Sequence, residues 1–166
     1  ATRTHALVEL LWHTGMRIGA AHSLDLEDYD PEEQYVELRH RPETDTRLKN
    51  KEAGERYVAL SPEVCDALDG YLRYNRDKGA DDYDRNSLFT SRQGRPAKSS
   101  LRDSIYRITR PCQYTGECPH DREIDSCEAV ENNKASTCPS SVSPHAIRRV
   151  SITHHLSEDV PEKVVS

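Results

Sequence analysis

Two groups of side chains in this chain have the types and the spacing to do chemistry. Cys112, Cys118, Cys127 and Cys138 fall within one 27-residue stretch, with five, eight and ten residues between them. Four thiolates suit one tetrahedral zinc, and a closed four-sulfur shell is structural because it leaves no open position for a substrate. The stretch is poor in Leu and Ile, so metal binding would supply folding energy that apolar burial cannot. Two disulfides or four free thiols are the alternatives, and a reducing cytosol disfavours the disulfides. His120, two residues after Cys118, is an alternative ligand. Cys65, alone on an apolar helix face, reads as a core thiol.

The second group is cationic. In Ser143-Pro144-His145-Ala146-Ile147-Arg148-Arg149, a capping Ser followed by Pro marks a helix start. His145 and Arg148 are three residues apart and so share a helix face. They sit in the first turn, where free backbone N–H groups and the helix dipole favour an anion. Arg17, in Thr14-Gly15-Met16-Arg17-Ile18-Gly19, and Lys49, in Leu48-Lys49-Asn50-Lys51, stand out beside them. Each alone is an ordinary surface charge.

The elements that must position these residues are legible from periodicity and punctuation. Ala6, Leu7, Leu10 and Leu11 recur at helical spacing within residues 2–13, and Gly15 is placed for a left-handed cap. A short helix is expected over 16–23, and Asp28-Tyr29-Asp30-Pro31 is turn chemistry. Residues 35–39 and 56–60 alternate as strands, joined by a long polar hairpin loop over 42–55. Ser61-Pro62 opens a helix that buries Val64, Cys65, Leu68, Tyr71 and Leu72. Leu88-Phe89 is a short buried segment, Gly94-Arg95-Pro96 a turn, and Leu101, Ile105 and Ile108 mark a helix closed by Pro111. A last helix starts at Pro144, and Pro161 opens another.

Length and charge narrow the class. A chain of 166 residues makes one domain with a small appendage. The expected fold is α+β, mainly helical with a small antiparallel sheet: residues 1–111 and 139–166 form the domain and 112–138 the Cys-rich zinc-binding insert. No apolar run approaches a membrane span, nothing resembles a signal peptide, and collagen, coiled coil and disulfide scaffold are excluded by composition. The 29 acids outnumber 23 bases, and only six of the bases are Lys. That pattern fits a salt-adapted protein, so the net charge of −6 does not argue against nucleic acid as partner. Between Arg85 and Arg110 seven bases meet a single acid, Asp103. Arg92, Arg95 and Arg102 are therefore expected to contact DNA phosphates.

Four stretches, in order, resemble the catalytic domain of tyrosine recombinases, the phage-integrase family. LLWHTGMRIGAAHSLDLEDYD resembles the family's first box. LKNKEAGERYVAL resembles its hairpin, with Ala59 where Pro is usual. SLFTSRQGRPAKSSLRDSIYRI resembles a later segment and helix, and PHAIRRVSITHHL the family's His-x-x-Arg box. The likeness spans nearly everything but the Cys-rich stretch. It implies strand cleavage and rejoining in double-stranded DNA through a 3′-phosphotyrosyl intermediate, without a catalytic metal or organic cofactor. Arg17 and Arg148 would grip the non-bridging phosphate oxygens. His145 would assist proton transfer at the attacking hydroxyl, and Lys49, with Lys51 as rival, would protonate the leaving 5′-oxygen. Arg149, where the family often has His, would be a second phosphate contact.

The family's nucleophilic Tyr follows its His-x-x-Arg box, but all eight Tyr here precede His145. The chain is therefore expected to be a catalytic-domain piece, inactive alone, from a cytoplasmic, nucleoid-associated prokaryotic or viral recombinase. The parent would work as a homo-tetramer on DNA, with no membrane partner. A non-enzymatic zinc-stabilised DNA-binding module is the rival, and a zinc-stabilised protein-interaction domain a second.

Overall fold

Thr2 opens the first helix, its hydroxyl accepting the backbone N–H of His5 at 3.2 Å. Helix α1 (Arg3–Thr14) buries Ala6, Leu7, Leu10 and Leu11 on one face and ends at Gly15, whose φ of 60° turns the chain sharply into α2 (Ile18–Ser23). The computed structural model describes residues 1–158. The helix expected from Pro161 lies outside them.

A three-stranded antiparallel sheet follows, in the order β1 (Tyr29–Asp30), β2 (Tyr35–Leu38) and β3 (Arg56–Ala59). The β2–β3 register pairs Val36 with Val58 and Leu38 with Arg56. Strand β1 falls where turn residues were read, because two residues are too few to show alternation. The polar stretch between β2 and β3 is also more ordered than a plain loop. It holds two single 3-10 turns, Pro42–Thr44 and Lys51–Gly54, with Leu48 buried between them.

Helix α3 (Pro62–Tyr74) buries Val64, Leu68 and Tyr71 and packs against α1, and Tyr71 stacks on Phe89 with ring centroids 6.0 Å apart. Ser61 stands at the N-cap position of α3 but makes no side-chain cap bond. Helix α4 (Lys98–Ile108) adds Leu101 and Ile105 to this core. Each fully buried Leu here stabilises by about 1.5–3 kcal/mol. Helix α6 (Pro144–Ser157) starts at Ser143, whose hydroxyl accepts the Ala146 N–H at 3.0 Å, and packs along α1. None of these helices is long and apolar enough to cross a membrane.

Residues 112–138 contain α5 (Cys112–Thr115) and three 3-10 turns. Ala129 and Ala135 are their only buried residues. Arg110 is buried beside them and donates to the Ala129 carbonyl. All four cysteines are free and half-buried, and among the described residues no group of three or more His, Cys, Asp or Glu is assembled to hold a metal ion.

A buried ionic network braces the elements that carry the cations. Asp25 takes Arg85 and Arg95, Asp28 takes Arg41 through both carboxylate oxygens, and Asp81 accepts Arg95 Nε at 2.9 Å. Arg85 also reaches Thr44 and Thr46 at the base of the hairpin loop. A Cβ on Gly94, at φ 89°, would collide with the Ala80 carbonyl, so glycine lets this turn close on the loop and deliver Arg95 to Asp81. This corrects the expectation for Arg95. Its side chain is 7% exposed and is spent on Asp25, Asp81 and the carbonyls of His22 and Leu24, so it does not face phosphate.

Candidate active site

Arg17 follows the left-handed Gly15 turn and stands at the N-cap of α2, where extended backbone leaves its side chain exposed. Arg148 lies on the α6 face that meets α1 and donates to the Gly15 carbonyl. His145, one turn earlier on α6, is exposed. Lys49 directly follows Leu48, whose burial and backbone bond to His40 Nδ1 at 3.0 Å fix the chain there. The four residues singled out from sequence come together around one open cleft of about 570 Å³.

Other cations line the same cleft. Arg56 enters from the start of β3, Arg47 from the hairpin loop and Lys98 from the start of α4. Ile18, Leu38, Leu48 and Pro144 supply apolar wall, and no carboxylate lines the cleft among the described residues. Six Arg and Lys side chains therefore converge without a carboxylate partner among the described residues, inside a chain of net charge −6. The crowding is felt electrostatically. Burial, then Arg17 and Arg56, lower the Arg148 guanidinium's pKa from its ordinary value, and burial, then Arg17, lower that of Arg56. Like charges held this close favour an anion between them.

The other sequence candidates lie apart. Lys51, at φ 51° in its 3-10 turn, does not line the cleft. Arg92 and Arg102 are exposed, on the 91–94 turn and on α4. Arg149 points to a different groove, beside Trp12 and Val150. Within the basic run, Arg85 and Arg110 are internal and Arg107 pairs with Asp103 at 2.7 Å. Arg47, Arg56 and Lys98 were not singled out in the sequence. For Arg56 the signal was its place in the hairpin motif. For Lys98 it was only membership of the 85–110 basic run, and its helix start is set against the cleft by tertiary packing.

Residues 1–121 match the Phage integrase family. The chain belongs to that family. The likeness to individual relatives is lower. A "Probable integrase/recombinase protein" of Methanocaldococcus jannaschii is 27% identical over 123 residues, which is 74% of this chain and 33% of that protein. The XerA recombinase crystal structure is 23% identical with a TM-score of 0.62, covering 96% of this chain and 44% of that one. The Tn1549 transposon integrase in complex with a circular intermediate DNA is 19% identical with a TM-score of 0.66, covering 96% and 48%. At these identities the structures establish a shared fold. This phage-integrase chain thus spans a third to a half of the relatives it matches. The mainly helical architecture with its small antiparallel sheet is the family's fold, and the first three motif stretches fall largely within the matched residues.

Proposed function

We propose that the protein containing this chain is a site-specific recombinase or integrase acting on double-stranded DNA, and that the Arg17–Lys49–His145–Arg148 cleft receives the scissile phosphate. One observation carries this: cations from separate parts of the sequence converge on a cleft without a carboxylate. Fixed positive charge is what metal-free phosphoryl transfer requires, because charge accumulates on the non-bridging oxygens as the attacking and leaving oxygens share the phosphorus. Arg17 and Arg148 hold those oxygens and His145 assists proton transfer at the attacking phenol. The phenol oxygen bonds to phosphorus as the bond to the 5′-oxygen breaks, and Lys49 gives that oxygen its proton. The product is a 3′-phosphotyrosyl link, which a free 5′-hydroxyl reverses. Among the described residues no tyrosine lines the cleft, and on this reading the phenol is supplied by another part of the parent protein.

The test uses the full-length protein on a duplex that it cleaves, carrying a 5′-bridging phosphorothioate to trap the covalent adduct. Arg17→Ala and Arg148→Ala are each expected to slow adduct formation by ~10²–10³. Equal rates in the wild type and Arg17→Ala would overturn the reading and favour a non-enzymatic DNA-binding module. The 166-residue chain alone is expected to form no adduct.

Three finer readings belong to the same proposal. The parent works as a homo-tetramer on DNA, tested by its mass in the presence of duplex. The four thiols of 112–138 are not drawn together among the described residues and would have to close around one structural zinc, a reading supported by their number and by the meagre core of that segment. The acidic, lysine-poor composition suits a salt-adapted cytoplasm, tested by whether the fold is lost on removing KCl.

A further inference from the structure

We propose that Arg56 is a third phosphate-binding guanidinium of this cleft, contacting the DNA backbone together with Arg17 and Arg148. The inference rests on the cleft being a phosphate site, and it adds a residue to which no role has been given.

Three observations support it. Arg56 lines the cleft from β3, opposite Leu38 in the strand register. Its Nη1 donates to the Gly54 carbonyl at 3.1 Å, which fixes the direction of the guanidinium and leaves its other N–H donors free of protein partners among the described residues. Among the described residues no acid pairs with it, in contrast to Arg41, Arg85 and Arg95, each of which meets a buried carboxylate. Arg56 also borders a groove with Glu37 and Glu55, but neither forms an ion pair with it among the described residues, and the repulsion it shares with Arg17 and Arg148 is relieved by an anion. A planar fork with unspent donors matches phosphate oxygens. Within β3 Arg56 is the residue that lines the cleft, while its neighbour Tyr57 packs edge-on against Tyr35 with ring centroids 5.1 Å apart.

The shared ligand chemistry is a phosphate group, free or in DNA, and we assign it to the DNA backbone. The 166-residue chain is melted at constant ionic strength with and without inorganic phosphate, as wild type, Arg17→Gln, Arg148→Gln and Arg56→Gln. Phosphate is expected to raise the wild-type Tm, and each variant is expected to lose that rise. Arg56→Gln should retain its phosphate-free Tm, because it relieves like-charge crowding. If Arg17→Gln and Arg148→Gln lose the rise while Arg56→Gln keeps it, the cleft reading stands and the role of Arg56 fails. If the wild type shows no rise, both fail together.

A readout on the wild-type chain covers the case of an unfolded variant. The Arg56 Nε–Hε resonance, assigned by its loss in Arg56→Lys, is expected to shift on adding phosphate. It is also expected to shift on adding a duplex, which displaces the phosphate. A resonance that responds to phosphate but not to saturating duplex would overturn the assignment to DNA. In duplex binding, Arg56→Gln should reduce the slope of log affinity against log salt by about 0.9, the value for one phosphate contact. An unchanged slope would likewise overturn it.

Discussion

Arg148 donates a hydrogen bond to the carbonyl oxygen of Gly15, 133 positions earlier in the chain and two residues before Arg17. The bond belongs to a set. Ser151 donates to the Trp12 carbonyl and His155 Nε2 to the His13 carbonyl at 3.0 Å. The last carbonyls of a helix have no partner within it. Here residues 148, 151 and 155, on one face of α6, satisfy the unpaired carbonyls where α1 ends. That exchange fixes the register of α6 on α1 and holds Arg148 beside Arg17.

Ser151→Ala should therefore destabilise the domain. Its side chain is fully buried, and truncation leaves the Trp12 carbonyl without a donor. A buried acceptor left unpaired costs about 1–3 kcal/mol. Urea denaturation of the variant should show a lower midpoint with an unchanged slope.

Lys49 and Lys51 should separate cleanly in the full-length protein. Lys49→Ala is expected to slow cleavage of an ordinary phosphodiester by ~10²–10⁴, the usual worth of a proton donor. Most of that loss should vanish when the leaving 5′-oxygen is sulfur, because a thiolate departs without a proton. Lys51→Ala, at a residue that does not line the cleft, should cleave both substrates at nearly wild-type rate. Single-turnover kinetics on the two substrates decides it.

His22 should make the fold sensitive to mild acid. Burial, with Arg95 and Lys98 adding their repulsion, pulls its imidazole from 6.5 down to about 4. The unfolded chain therefore binds a proton that the folded chain refuses between those values. The His22 contribution is complete above about pH 6.5 and is lost as pH falls from there through about 4. Denaturation midpoints across this range should fall for the wild type and stay flatter for His22→Gln.

Arg95→Ala should be a stability variant, whereas Arg92→Ala and Arg102→Ala should be binding variants. Removing Arg95 leaves Asp25 and Asp81 short of a buried partner, and breaking a buried pair costs about 3–5 kcal/mol. The exposed pair should change stability by less than about 0.5 kcal/mol while weakening duplex binding and its salt dependence. Chemical denaturation and a salt titration of duplex affinity, run on all three, would show the split.

Elemental analysis of protein purified without chelator should find about one zinc per chain if the four thiols form the closed sulfur shell proposed. Cys118→Ser should lower that content, and chelation should loosen residues 112–138, where only Ala129 and Ala135 are buried. Metal far below one equivalent, with hydrogen exchange in this segment unmoved by chelator, would refute the zinc reading.

The sequence by itself determined the main helices, the β2–β3 pair and four members of the cleft, but not β1 or the turns within the hairpin loop. Helical spacing in α1, the Ser-Pro starts of α3 and α6 and strand alternation are local properties, decided by side-chain period and by which backbone groups a neighbour can cap. Arg17, Lys49, His145 and Arg148 were legible because their stretches resemble the family's motifs in order, and for His145 and Arg148 also because a Ser-Pro start sets them in the first turn of a helix. Only the tertiary structure decided how the remaining arginines are used. Arg95 and Arg92 stand three residues apart in one basic run, yet Arg95 lies buried against Asp25, 70 positions away, and Arg92 faces solvent. Arg56 had only its place in the hairpin motif until the β2–β3 pairing and the packing around it put it on the cleft wall. A charge's role depends on which opposite or like charges come within a few ångströms, and contacts across 60 or 70 residues are set by packing, which local spacing does not encode.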